Sequence, residues 1–132
     1  LGGPATAGIG FALGLDRTLL ACDAEQVFPA PNTDVFAFVV DTTGGQEAAL
    51  ICNQLRVARI GADRAFDNRS MKAQMKAADR SGAQVAIIIG SNELDAGQVV
   101  IRPMNSGEQY TVNREELLAS IQNEVSKIRS AN

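Results

Sequence analysis

Four cations, Arg69, Lys72, Lys76 and Arg80, stand three, four and four residues apart. At ~100° per residue, that spacing lays them along one stripe of a helix. Such a stripe can contact successive phosphates of a nucleic-acid backbone. The plainer alternative is a solvated helix face. Phe66 and Tyr110 are the aromatic candidates for stacking on a base. A second constellation lies near the N-terminus, where Gly8, Gly10, Ala12 and Gly14 alternate with Ile9, Phe11, Leu13 and Leu15 and lead into Asp16 and Arg17. An arginine that opens a helix after a strand with one bare face can hold a phosphate by paired hydrogen bonds. The glycines loosely imitate a dinucleotide fingerprint. That motif needs a buried strand before its glycines, and residues 1–7 do not read as one.

The chain of 132 residues contains no histidine, which removes Ser-His and Cys-His nucleophile pairs and His-based zinc sites from it. Cys22 and Cys52 have no metal-ligand spacing and read as small core residues, so no metal site is expected. The net charge of -3 is unevenly spread. Residues 1–55 carry one arginine against six acids, residues 56–80 seven cations against three aspartates, and residues 81–132 four against six. The positive charge is therefore concentrated around the basic stripe. No apolar run approaches the ~20 residues of a membrane span, and the opening Leu1-Gly2-Gly3-Pro4 resembles no signal peptide. Without a starting Met, it reads as the beginning of a piece cut from a longer chain.

The elements that must position these residues follow from periodicity. Residues 8–15 alternate as a strand, and a helix over about 16–24 follows. Phe28 to Thr33 carries two prolines and reads as a linker. Val35 to Val40 and Gln84 to Ile89 are apolar runs suited to strands buried on both faces. Gln46 to Ile60 forms a helix with Ala48, Ile51, Cys52 and Leu55 inward and Gly61 as its stop. Ala62 to Phe66 forms a short strand. Ser70 caps a helix that ends at Gly82 and turns Met71, Met75 and Ala78 to the core. Val99 to Arg102 and Gln109 to Val112 flank a turn at Asn105-Ser106-Gly107. Asn113 and Glu116 resemble a capping box before a last helix that buries Leu117, Ile121, Val125 and Ile128. The order from residue 35 is β-α-β-α-β-β-β-α, an α/β fold with a mixed, roughly five-stranded sheet flanked by helices.

The segment from Gly8 to Arg17 resembles the third signature motif of class II aminoacyl-tRNA synthetases and is most similar to the histidyl branch. The stretch from Asp67 to Gly82 is similar to a basic helix of that branch. Ala86 to Gly90, Glu93-Leu94 and Ser106 to Gln109 also match its C-terminal pattern. The resemblance implies three parts: residues 1–27 as the end of a catalytic domain, 28–33 as linker, and 34–132 as an anticodon-binding domain. It implies that Gly8, Gly10 and Gly14 floor an ATP site and that Arg17, the catalytic candidate, contacts the ATP phosphates. It implies that Arg69, Lys72, Lys76 and Arg80 meet the anticodon loop of tRNA(His), with Gln74 and Glu93 as base readers. The implied parent is a cytoplasmic homodimer, a histidine-tRNA ligase using ATP, L-histidine and Mg2+.

The family's first two motifs and its histidine-binding segment are not found in these residues. The expectation is therefore that this piece recognises tRNA without cofactor and does not aminoacylate alone. Ile9, Phe11 and Leu13 are then expected to be loosely held. Three rivals remain. A non-catalytic synthetase-like RNA-binding or regulatory domain would lack activity in the longer chain too. A nucleotide-binding oxidoreductase piece would bind cofactor and no RNA. A dimer-packing module would do neither.

Overall fold

The computed structural model describes residues 2–5, 7–27, 34–66 and 69–130. The proline-containing linker at 28–33 lies outside the described residues, as do Asp67 and Asn68. The chain divides into two units, Leu1–Asn32 and Thr33–Asn132.

In the first unit, helix α1 spans Leu15–Ala24, close to expectation. Gly14 precedes it with extended backbone, and the Thr18 hydroxyl donates to the Gly14 carbonyl at 3.1 Å. The strand expected over 8–15 is not formed. Residues 7–13 take no regular structure, and Ile9 and Phe11 are 103% and 96% exposed. A strand requires a ladder partner for its N–H and C=O groups, and the described residues of this unit supply none.

The second unit is a five-stranded sheet ordered β2-β1-β3-β4-β5. Its strands are β1 (Ala37–Asp41), β2 (Ala62–Arg64), β3 (Val85–Ile89), β4 (Gln98–Pro103) and β5 (Tyr110–Asn113). β1 pairs in parallel with β2 and β3, while β3–β4 and β4–β5 are antiparallel. Every residue of β1 is buried, as a central strand covered on both faces demands. Helix α2 (Gln46–Val57) covers one face with Ala48, Ile51, Cys52 and Leu55. The terminal helix, numbered α5 (Leu117–Ser130), adds Leu117 and Ile121 to that core. Val125 packs half-buried against it, and Ile128 is also half-buried. Helix α3 (Met71–Ser81) covers the opposite face, where Ala78 meets Phe38 and Val40. Burial raises the Cys52 thiol above its ordinary range, as befits a packing residue.

Four local expectations change. A five-residue helix, α4 (Ser91–Asp95), follows β3; it is too short for periodicity to reveal. α2 ends before Gly61, with Arg59 taking the left-handed conformation at φ 61°. Gly61 is needed for another reason: a Cβ there would lie 2.0 Å from the Asp34 carbonyl oxygen. Asn113 and Glu116 form no reciprocal capping box. The Asn113 amide donates to the Glu116 carboxylate at 3.4 Å, and a 3-10 turn over Arg114–Glu116 leads into α5. Met71 is exposed and Met75 half-buried, while Gln74 takes the inward position beside Ala78.

Candidate nucleic-acid interface

The basic stripe begins where the backbone changes course. Ser70 caps α3, its hydroxyl accepting from the Ala73 N–H at 3.4 Å. Arg69 therefore precedes the helix, and only Lys72, Lys76 and Arg80 share its face. All four side chains are exposed. At ~100° per residue, Lys72, Lys76 and Arg80 drift slowly around the helix at intervals of four. They form a cationic edge that leads away from the cap.

Gln74 belongs to a different arrangement. It is 3% exposed, and its amide is engaged with main chain. Its oxygen accepts from Asp41 N–H at 3.0 Å. Its nitrogen donates to the Asp41 carbonyl at 2.7 Å and to the Arg69 carbonyl at 2.9 Å. A side chain so placed presents no edge to a base, so Gln74 is a positioning residue in this conformation. It joins the end of β1 to the backbone of Arg69. Inverse reasoning explains its burial, since a polar amide is tolerated inside only when its donors and acceptor are matched.

The Asp41 carboxylate organises the segment that leaves β1. It accepts from Thr43 N–H at 2.7 Å, from the Thr43 hydroxyl at 2.6 Å and from Ala48 N–H at 3.1 Å. The last contact satisfies a donor in the first turn of α2, replacing the side-chain cap that Gly45 cannot supply. Gly44 and Gly45 have φ values of 117° and 82°, the left-handed region that favours glycine. Thr42 N–H donates to the Ile89 carbonyl at 3.1 Å, tying the loop to the end of β3.

Crevices open on either side of this loop. β1 sends its chain to the α2 face and β2 sends its chain to the α3 face. The carboxyl ends of such diverging parallel strands are where open α/β sheets leave room for ligands. A cavity of about 750 Å3 is lined by Thr42, Thr43, Gly44, Arg69, Ser70, Ser91, Leu94 and Asp95. A smaller one of about 300 Å3 lies toward β2, bounded by Asp41, Gly44, Gly45, Arg64 and Gln74 among others. Gly44 lines both, so the Thr42–Gly45 loop forms the wall between them.

Sequence reasoning found Arg69 but not Thr42, Thr43, Ser91 or Asp95. The available signal was the run of small polar and glycine residues immediately after an apolar strand. Glu93 sits on α4, where its carboxylate accepts from Gly90 N–H at 3.0 Å and so caps the short helix. Tyr110 is not near the basic helix. Its hydroxyl donates at 3.0 Å to Glu124 on α5, which packs on the sheet face opposite α3. Phe66 does lie close to the site: it follows β2, and the Arg64 guanidinium is 4.8 Å from its ring centroid.

In the first unit, Arg17 is exposed in the opening turn of α1. Its side chain lies 3.8–3.9 Å from where a Cβ on Gly14 would sit, so those two residues are adjacent. Gly8 and Gly10 face open space. Among the described residues no three His, Cys, Asp or Glu converge to hold a metal ion. No helix of the described residues is long and apolar enough to cross a membrane.

Residues 32–124 match the family described as an anticodon binding domain. A histidine-tRNA ligase of Rhodococcus erythropolis is 46% identical over 120 residues, covering 89% of this chain and 28% of the relative. One from Corynebacterium urealyticum is 40% identical, covering 95% and 30% respectively. The solved apo histidyl-tRNA synthetase of Staphylococcus aureus superposes with a TM-score of 0.63 at 31% identity, over 81% of this chain and 28% of that one. The chain thus spans less than a third of the length of these relatives.

Proposed function

The chain belongs to the anticodon binding domain family, and on that premise we propose that it reads the anticodon loop of tRNA(His) for a histidine-tRNA ligase. The observation that carries this reading is the double position of Arg69 and Ser70. They line the larger cavity and lead directly into the helix that bears Lys72, Lys76 and Arg80. A loop whose bases enter the cavity has its backbone beside the cationic edge. Thr42, Thr43, Ser91 and Asp95 offer hydroxyl and carboxylate groups for base edges, the manner in which proteins read unpaired RNA. The lysines and Arg80 supply the phosphate contacts that give affinity without sequence information. Gln74 holds the two walls in register, and Glu93 caps the short helix that carries Ser91.

A role for Arg17 rests on the likeness to histidine-tRNA ligases, which extends over 95% of the chain. In the ligase reaction, histidine and ATP give histidyl-adenylate and pyrophosphate, and the aminoacyl group passes to the tRNA. To Arg17, next to Gly14 at the start of α1, we assign the stabilisation of phosphate charge in that reaction. The ATP and Mg2+ sites, the homodimer and the cytoplasmic location belong to the ligase as a whole.

The test is binding to anticodon stem-loops at low and moderate salt, with the histidine anticodon in one and a scrambled loop in the other. Preference for the histidine loop is expected, weakened by Arg69→Ala. Equal binding to both loops that vanishes as salt rises would leave a nonspecific cationic face and end the proposal.

A further inference from the structure

β2 ends at Arg64, which lines the smaller crevice with Ala65, and Phe66 follows directly. The ring is 64% exposed. The Arg64 guanidinium lies 4.8 Å from its centroid, within the range of a cation–π contact. The guanidinium rests against the Ala65 main chain. Its Nη1 donates to the Ala65 carbonyl at 3.5 Å. The same atom lies 3.5 Å from where a Cβ on Gly45 would sit, an ordinary contact distance. Among the described residues it has no carboxylate within ion-pair distance. One side of the ring is therefore backed by a cation, and the ring's exposure leaves the other side to solvent.

A lone ring of this kind does not resemble a protein-docking face, which needs a contiguous apolar patch of several hundred Å2. A planar nucleobase matches it well. Bases unstacked from single-stranded RNA commonly rest on aromatic faces and guanidinium planes. The surroundings agree, because residues 56–80 hold seven cations against three aspartates.

We propose that Phe66, backed by Arg64, is a stacking platform for one unpaired base of the bound RNA loop. This rests on the RNA-reading role above and adds a contact on the β2 side of the Thr42–Gly45 wall. The two crevices then divide the work, with hydrogen bonding on the β3 side and stacking on the β2 side.

The experiment uses the whole chain and stem-loops carrying 2-aminopurine at each loop position in turn. Stacking quenches that base, so one position loses fluorescence on binding. Phe66→Leu is expected to restore the fluorescence and weaken binding about tenfold, with an unchanged salt dependence. Phe66→Trp should keep both quenching and affinity. Because the ring is exposed, the melting temperature of each variant should match the parent. If Phe66→Leu binds within twofold and quenching persists, the platform is wrong while RNA reading stands. If no stem-loop binds the parent chain, the reading and the platform fall together.

Discussion

Ile9, Phe11 and Leu13 in their alternation and the apolar run over 37–40 both read as strand residues, yet the two regions end differently. β1 has a hydrogen-bonded strand on each edge, α2 on one face and α3 on the other, and all five of its residues are buried. Residues 7–13 have no strand beside them among the described residues of their unit, and α1 buries nothing. Alternation in a sequence names the residues that need covering. Strand geometry itself comes from the neighbour that completes the ladder.

Truncating a side chain in each region tests that contrast most strongly. Ile87→Ala on β3 should cost about 2–5 kcal/mol in urea unfolding, because it empties space inside a closed core. Phe11→Ala should cost less than about 0.5 kcal/mol, as exposed substitutions usually do. Equal losses would mean that Phe11 is packed in solution and would break the comparison.

The next effect lies within the second unit. Gln74→Leu keeps the size and removes the amide, leaving Asp41 N–H, the Asp41 carbonyl and the Arg69 carbonyl without that partner. A loss of about 2 kcal/mol is expected from the unsatisfied groups. The preference between stem-loops should fall as well, because the cavity walls are no longer joined. A variant as stable and selective as the parent would show that Gln74 positions nothing.

The smallest effect concerns pH. Burial, followed by the hydrogen bond to Glu124, pushes the Tyr110 phenol up from 10.0 to about 12. The folded chain thus holds this proton more tightly than the unfolded chain does. The stabilisation is full below pH 10 and is lost as pH rises through about 12. Tyr110→Phe should cost about 1 kcal/mol at neutral pH and flatten the alkaline decline. A decline of unchanged depth in the variant would assign it to other groups.

Much of this was readable from residue types alone. The apolar runs located β1 and β3, the inward set on α2 was complete, and Ser70 and Gly82 bracketed α3. The cations of α3 were also found, because exposure follows from charge. What could not be read depends on distant partners. Gln74 looks like a surface residue in a basic helix, and only the end of β1, 33 residues away in sequence, explains its burial. The separation of Tyr110 from the basic helix follows from which sheet face each crossover takes, and spacing does not encode that. The cavity residues come from two loops and α4, which meet only after β1 has paired with β3.

The strand order has a consequence during synthesis. β1 is made first but sits between β2 and β3, and its register joins Ala37 to Val85. A nascent chain emerging from a ribosome exposes an apolar strand with an open edge until β3 appears. Open apolar edges are where growing chains capture one another. The hairpin of β4 and β5, by contrast, can close as soon as it is made. The pace of translation across α3 therefore sets how long the most aggregation-prone segment of this fold must wait.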